Sequence, residues 1–448
     1  MIKQEDIQLG QKVLDMAREA GATGCKAVLN RSTSDLLDTL NGELDKVTHC
    51  SDCSMTLSIF ADGKFGTFST NDLSDKGLND FIRTAVQMTR MLNADECRTL
   101  PDPKRYFKGP VDASRTRLQL HDPEYYTLDG DQRKELALKA ALDINAPREG
   151  YSIISEEGQY SDSEFDSLTM DSQGLVCAHE ETSFEYASEI TIEVPDGTKQ
   201  SNYWWISSPM LKDFKPEGVG EEALRRAVLN IGSEPVESRK CTMVVSRDVA
   251  SKLVTPLQNA LGGYAIQQNN SFLAGTKGKK MFSDGFTLLD IPVKAGESGS
   301  RLFDSEGVAA KEMPIIENGV VKNYFINTYI AGKTGMAPTI EDAIRPVVLP
   351  FPEKGLTESD ILTKCGEGIF VTGFNGGNCN SATGDFSYGV EGFTFKDGKI
   401  DKPVCEMLIT GNFLSLWANL LYAGEDARSC MAKLIPTLAF ADVDFNGE

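Results

Sequence analysis

A glycine-rich segment at residues 366–412 constrains the fold of this chain more than any other feature. Eight glycines fall between Gly366 and Gly392, interleaved with Phe, Val and Tyr. Glycine at this density weakens a strand unless the backbone needs positive φ or a close neighbour. The segment then reaches Asp397-Gly398 between two short strand-like runs, which predicts a tight hairpin. The pattern therefore predicts an antiparallel sheet whose surface lies against another chain or a peptide.

The order of predicted elements indicates an α+β fold in two domains. A helix, strands joined by turns at Asn41-Gly42 and Asp62-Gly63, and a second helix at 74–93 predict an α/β-sandwich-like domain at residues 1–232. Its helices would cover a mixed or antiparallel sheet, and residues 100–131, rich in Pro, Asp and Tyr, read as a long surface connection. Strands dominate the second part, which predicts an antiparallel-sheet-rich domain at residues 233–448.

Composition excludes several classes of function. The net charge is −21 and the pI is about 4.7, whereas binding to phosphate backbones requires clustered Lys and Arg, so we expect no direct nucleic-acid partner. No window approaches the roughly 18 apolar residues of a membrane span, and the polar N-terminal segment is not a signal peptide. The ten cysteines are scattered, as is typical of free thiols. We therefore expect a cytoplasmic protein with no membrane partner.

Three motifs occur in an order that resembles the TldD/PmbA family, whose members are often labelled modulators of DNA gyrase. The first is TGDFSYGVEGF at 383–393, followed by KDGKI and PVCEMLITGN. The second is FDSEGV at 303–308, followed by the hairpin IIENGV, and the third and weakest is MDSQGL at 170–175. The resemblance covers most of the chain and is strongest from about residue 285 to 426.

The resemblance makes the metal site the decisive question. TldD-type members resemble zinc peptidases with a His-Glu-x-x-x-His helix, in which two histidines hold zinc and the glutamate activates water. That helix should fall between residues 245 and 272, where this chain reads LVTPLQNALGGYAIQQNNS, with no His and no acid. His179-Glu180 begins such a motif but continues as an alternating strand. The chain therefore resembles the PmbA (TldE) branch, with no metal or other cofactor of its own and zinc expected in a TldD-like partner.

Other nucleophiles and ligands are sparse. Cys50 and Cys53 lack the second ligand pair of a zinc site, and the two remaining histidines are His49 and His121. A Cys-His nucleophile would require one of the histidines to fold against an accessible thiol such as Cys379, which the sequence leaves open. We expect no catalytic residue in this chain.

The candidate contact residues come from two of the motifs. Their carboxylates, at 304, 306 and 385, fit turn positions first, and contact with a peptide backbone second. The residues predicted to bind a peptide or a partner chain are Phe303, Asp304, Ser305, Glu306, Gly307, Gly376, Gly377, Gly384, Asp385 and Tyr388.

Two functional hypotheses of different class follow. In the first, the chain is the metal-free subunit of a TldD/TldE-type heterodimeric zinc peptidase that processes or degrades unfolded peptides, and it holds substrate as an added β-strand. In the second, it is a metallopeptidase or other peptide hydrolase in its own right. A third alternative is an indirect modulator of DNA gyrase or of a toxin–antitoxin pair. The isolated chain could also form a homodimer through the surface meant for its partner.

Overall fold

A computed structural model describes residues 1–139, 142, 144–146 and 148–447. The chain forms two compact units: Met1–Val228 with Val293–Ala310, and Leu229–Pro292 with Lys311–Glu448. The α+β fold class is confirmed, with several antiparallel sheets. The domain boundary at residues 232 and 233 stays a prediction, and the compact units divide near it, with one later segment returning to the first unit.

The first unit is built on one antiparallel sheet. Its strands are β1 (Gly24–Leu40), β2 (Glu43–Ala61), β3 (Lys64–Thr70), β4 (Ser152–Asp171), β5 (Val176–Glu193) and β6 (Lys199–Ser208). They lie in the order β3-β2-β1-β4-β5-β6. Its α-helices are α1 (Gln4–Glu19), α2 (Asp75–Met91), α3 (Ala113–Leu118), α4 (Gly130–Leu138) and α5 (Val219–Leu229).

Strand alternation places one row of side chains of each long strand under the helices. At one end of the sheet, α1 and α2 bury their apolar faces against Leu29, Leu57 and Met170. At the other end, Tyr160, Phe184 and Tyr186 pack with Ala137 of α4. The helices therefore cover one face of the sheet in two separate apolar clusters.

Residues 100–131, predicted as a long surface connection, are mostly exposed or partly exposed but include ordered elements and buried side chains. The segment contains α3 and a 3-10 turn at Pro123–Thr127, and Tyr106, Leu118, Leu120 and Tyr125 are buried. Its spaced apolar residues are buried, whereas most of its Pro and Asp residues are exposed, so its polar composition concealed these buried positions.

The second unit contains the remaining elements. Its strands are β7 (Arg239–Val245), β8 (Leu288–Asp290), β9 (Met313–Glu317), β10 (Val320–Val321), β11 (Pro346–Val348), β12 (Gly368–Cys379), β13 (Asp385–Lys396), β14 (Lys399–Asn412), β15 (Leu420–Ala423) and β16 (Leu438–Asn446). Its helices are α6 (Ser251–Leu261), α7 (Gly263–Gln267), α8 (Thr328–Thr334), α9 (Glu358–Cys365) and α10 (Phe413–Ala418).

The larger sheet of the second unit has the order β14-β13-β12-β7-β16-β15, and β14 also pairs with β16. Five strands therefore close into a ring, which protects most strand edges. The hairpin predicted at Asp397-Gly398 joins β13 to β14. A smaller sheet has the order β10-β9-β8-β11.

The described part of the chain includes no helix with both the length and the apolar character needed to cross a bilayer.

Candidate functional site

A cleft of about 370 Å³ in the second unit lies between α6 and the glycine-rich end of β12. Helix α6 contributes Lys252, Pro256 and Asn259 to its wall, and β12 contributes Gly377 and Cys379. This helix occupies the sequence interval in which the family resemblance predicts a metal-binding helix. The cleft is therefore the place to look for metal ligands in this chain.

Helix α6 forms because its apolar residues recur at helical spacing. Leu253, Val254 and Leu257 are fully buried, which fixes the helix against the unit and leaves its other face to the cleft. Pro256 lies inside the helix and, having no N–H, cannot bond to the carbonyl of Lys252. The face toward the cleft thus carries one cation, Lys252, and one amide, Asn259.

Lys252 and Tyr388 meet across this cleft. The Lys252 Nζ lies 5.2 Å from the centroid of the Tyr388 ring, within the range of a cation–π interaction. Burial, together with the nearby Cys379, raises the pKa of Tyr388 to about 12. The phenol therefore stays protonated at neutral pH, and Tyr388 is 3% exposed.

Cys379 is a poor nucleophile in this setting. Burial raises the pKa of its thiol, and the Asp385 carboxylate raises it further. The thiolate is the reactive form of cysteine, so this environment suppresses reactivity. All three histidines belong to the first unit by sequence position, and each has a carboxylate within 3.0 Å: His49 with Asp35, His121 with Glu164, and His179 with Glu181.

The lining residues of the cleft do not fit a catalytic zinc ion. Zinc in peptidases takes imidazole and carboxylate ligands, whereas α6 lines this cleft with Lys252, Pro256, Asn259 and Ala260. A neighbouring cleft of about 530 Å³ on the other side of Asn259 includes Glu341 and Asp342, and burial raises the pKa of the latter. Two carboxylates without an imidazole are not a peptidase zinc set.

The two adjacent glycines of β12 have different roles. Gly377 has φ +90°, and a Cβ there would lie 2.1 Å from the Ser387 carbonyl oxygen on β13. Gly376 has φ +73°, and a Cβ there would have no heavy atom within 4 Å. Together they form the irregularity between Asn375 and Asn378 in the β12–β13 register. The sheet therefore requires glycine at 377 to avoid a clash, whereas a side chain at 376 would extend into open space.

The end of β12 presents a strand edge at the cleft. β13 pairs with β12 from Gly368 to Cys379 with two irregularities, but β7 pairs with it only at Ile369–Val371. Within the described residues, no strand pairs with the other edge of residues 372–379. Residues 375–378 are exposed, so their backbone groups are accessible for pairing with another strand.

The predicted contact residues fall in both units. Gly384 has φ +81° beside the Phe272 ring, and Asp385 accepts hydrogen bonds from Thr383 and Asn412 at 2.7 and 2.8 Å. Tyr388 and Gly377 line the cleft, and Gly376 adjoins it. Their role in contacting a peptide stays a prediction, although Asp385 is clearly engaged in its own turn.

Residues 303–307 belong to the first unit. Asp304 Oδ1 accepts hydrogen bonds from the backbone N–H groups of Glu306 and Val308, at 3.0 and 2.9 Å. Gly307 has φ +82°, and a Cβ there would meet Leu175 at 2.2 Å. The loop of Phe303, Asp304, Ser305, Glu306 and Gly307 thus has a turn role, and its contact with a partner stays a prediction.

The sequence interpretation missed one cluster in the first unit. His121, Glu164 and Asp166 bring potential ligand atoms within 4.8 Å of one another. The i, i+2 spacing of the two carboxylates on a strand was the available signal. His121 lies in the segment predicted to be a surface connection, so the sequence gives no reason to place it beside Glu164 and Asp166.

Comparisons with known proteins agree with this architecture. The PmbA/TldA metallopeptidase C-terminal domain matches residues 238–447. The central domain of the same family matches residues 124–231, and its domain 1 matches residues 25–89. A crystal structure from Bacteroides thetaiotaomicron, provisionally named a modulator of DNA gyrase, is 38% identical, covers 100% of both chains and has a TM-score of 0.94. The chain belongs to the PmbA/TldD family.

Two further members extend the comparison. The metalloprotease PmbA homolog of Haemophilus influenzae is 27% identical over 95% of this chain and 93% of its own length. The structure of TldE from Thermococcus kodakarensis has a TM-score of 0.83 at 18% identity, covering 98% of this chain and 100% of that one, and shows the shared fold.

Proposed function

We propose that this PmbA/TldD family member is the non-catalytic, TldE-like subunit of a heterodimeric zinc peptidase. A TldD-like partner would supply the zinc ion and the activated water. This chain would hold an unfolded peptide as an added strand on residues 372–379 of β12. Backbone pairing tolerates varied sequences, which suits a peptidase acting on unfolded substrates.

The observation that carries the proposal is the chemistry of the cleft. Helix α6, in the interval where the family resemblance predicts a zinc-binding helix, is well packed. Its face toward the cleft bears Lys252, Pro256 and Asn259 where zinc would need His and Glu side chains. The adjoining strand edge is accessible, and Tyr388 lines the cleft. Such a surface can bind a peptide backbone and has no group that would activate water.

A peptide hydrolase acting alone is the second candidate. This candidate is favoured by the names of the relatives, which call them metalloproteases. In this chain, however, the cleft thiol has a raised pKa and no imidazole belongs to the same unit. Indirect modulation of gyrase would have to proceed through the peptides that the complex degrades.

Peptide binding at the cleft tests the proposal. Hydrogen exchange of this chain, mixed with a zinc-loaded TldD-like partner from the same organism, would be measured with and without an unfolded peptide. We expect slower amide exchange at residues 372–379 when peptide is present. Asn259→Trp, which fills the cleft from an exposed position of α6, should weaken this protection and peptide hydrolysis together.

Ser359→Trp is the matched control, because Ser359 is exposed on α9 of the same unit and does not line the cleft. It should leave both readouts unchanged. Unaltered exchange at 372–379 under saturating peptide, or equal effects of the two tryptophan variants, would refute the proposed binding site.

A further inference from the structure

We propose that His121, Glu164 and Asp166 form a site for one divalent transition-metal ion in the first unit. The site goes beyond the proposed peptide-binding function, which concerns the other unit. Their ligand atoms lie within 4.8 Å of one another, so small side-chain movements would bring all three to one ion. One imidazole with two carboxylates suits Mn²⁺, Fe²⁺ or Zn²⁺.

The fold places these ligands on rigid elements. Glu164 and Asp166 are alternate residues of β4 and therefore project from the same face. His121 follows α3, and its side chain is 2% exposed, with Nε2 3.0 Å from Glu164 Oε1. Along β4, the ligands lie between Tyr160 of one apolar cluster and Leu168 of the other. The cluster is thus a polar interruption in the covered face of the sheet.

The charges around the cluster favour a cation. Asp166 lies directly opposite Glu180 in the β4–β5 register, and like charges in such cross-strand pairs are destabilising. Arg31, opposite Asp166 on the other side, is engaged by Asp6 instead. Asp166 is 3% exposed, and its Oδ1 has no hydrogen-bond partner in the described part of the chain. A buried carboxylate oxygen of this kind is costly unless it is paired or coordinates a metal.

A cation already contacts this cluster. The α-ammonium group of Met1 bonds to Asp166 and lies 3.1 Å from Glu164 Oε1. The ammonium donates to Asp166 Oδ2 but leaves Oδ1 without a hydrogen-bond partner among the described residues, and the His121 imidazole bonds to Glu164 instead. A divalent ion would take the place of the ammonium and use all three side chains, with the His121 proton on Nδ1 and Nε2 free to bind the ion.

Such an ion would join the segment after α3 to the middle of β4. Because binding to the folded state alone stabilises that state, Mn²⁺ should raise the melting temperature of the first unit. Three protein ligands would leave coordination positions for water.

Titration of the full chain with Mn²⁺ at 0.15 M salt, followed by electron paramagnetic resonance, tests the site. Screening at this salt concentration weakens diffuse binding to the acidic surface. We expect one bound Mn²⁺ per chain, with nitrogen hyperfine coupling from His121. Asp166→Asn should weaken binding at least tenfold, and His121→Gln should remove the nitrogen coupling.

His49→Gln is the matched control, since His49 pairs with one carboxylate, Asp35, on an exposed part of the same sheet. It should bind Mn²⁺ as the wild type does. Absence of stoichiometric binding, or equal binding by the wild type and the folded Asp166→Asn variant, would overturn the site. Peptide protection at residues 372–379 should persist in Asp166→Asn, so the two proposals fail separately.

Discussion

Replacing Gly377 by alanine should destabilise the second unit far more than the same change at its neighbour Gly376. Both residues have positive φ, which costs an L-residue about 1–2 kcal/mol. At Gly377 the new Cβ would also lie 2.1 Å from the Ser387 carbonyl oxygen, and overpacking of this kind costs about 1–3 kcal/mol more. We therefore expect losses of about 2–5 kcal/mol for Gly377→Ala and about 1–2 kcal/mol for Gly376→Ala.

Urea unfolding followed by Trp417 fluorescence measures this difference. Trp417 is fully buried in the second unit and stacks on Phe286 at 4.0 Å. Changing Trp204 and Trp205 to phenylalanine removes the signal of the first unit, which isolates the relevant transition. The two glycine variants are then compared in this background.

Equal losses of stability in the two variants would refute the reasoning, because only at Gly377 would the new Cβ meet the Ser387 carbonyl and Tyr388. A second check is functional. Gly376→Ala should keep peptide protection of residues 372–379, whereas Gly377→Ala should reduce it by displacing the strand from β13.

Three further predictions concern the first unit. Arg133→Ala should cost about 3–5 kcal/mol in chemical unfolding, because it leaves the buried Asp162 carboxylate, bonded at 2.7 Å, without its cationic partner and, in the described part of the chain, with only the Tyr160 hydroxyl donating to it; a loss below about 1 kcal/mol would contradict this. Burial lowers the pKa of His179 below 6.5, so below about pH 6.5 the unfolded chain binds a proton at this residue more readily than the folded chain does. The free energy of unfolding should therefore fall as the pH decreases from about 6.5. His179→Gln should flatten that dependence, and an unchanged pH profile would argue against it. Asp304→Ala removes the side-chain acceptor of two backbone N–H groups and should cost about 1–3 kcal/mol by thermal unfolding, while peptide protection stays intact. Loss of that protection would instead make Asp304 a residue that contacts the peptide.

Local sequence signals predicted the parts of the fold that depend on neighbouring residues. The turns at Asn41-Gly42, Asp62-Gly63 and Asp397-Gly398 all join antiparallel strands, because such dipeptides adopt the required positive φ. The start of α2 is fixed by Ser74, whose side chain accepts a hydrogen bond from Gly77.

Features that depend on distant pairing were not predictable. The closure of β14 onto β16 joins residues far apart in sequence, and the return of Val293–Ala310 to the first unit has no local signal. Residues 100–131 carry no clear period, so their burial was concealed. Periodicity reports local alternation, whereas these features require knowledge of which strands meet.

The candidate site was predictable in its chemistry but not in its geometry. The absence of ligands on α6 is readable from its residues alone. The distinct roles of Gly376 and Gly377 depend on the position of the Ser387 carbonyl on β13. The His121 cluster likewise requires a buried loop to meet two alternate residues of β4.

Peptidase activity measured for each subunit separately and for their mixture tests the central claim most directly. The rate of hydrolysis of an unfolded peptide would be compared for this chain alone, for a zinc-loaded TldD-like partner alone, and for the two together. The chain alone should show no activity, even after exposure to Zn²⁺ or Mn²⁺, and the mixture should exceed the partner alone. Hydrolysis by this chain alone at the rate of the mixture would contradict the account and would require a catalytic ligand set outside α6.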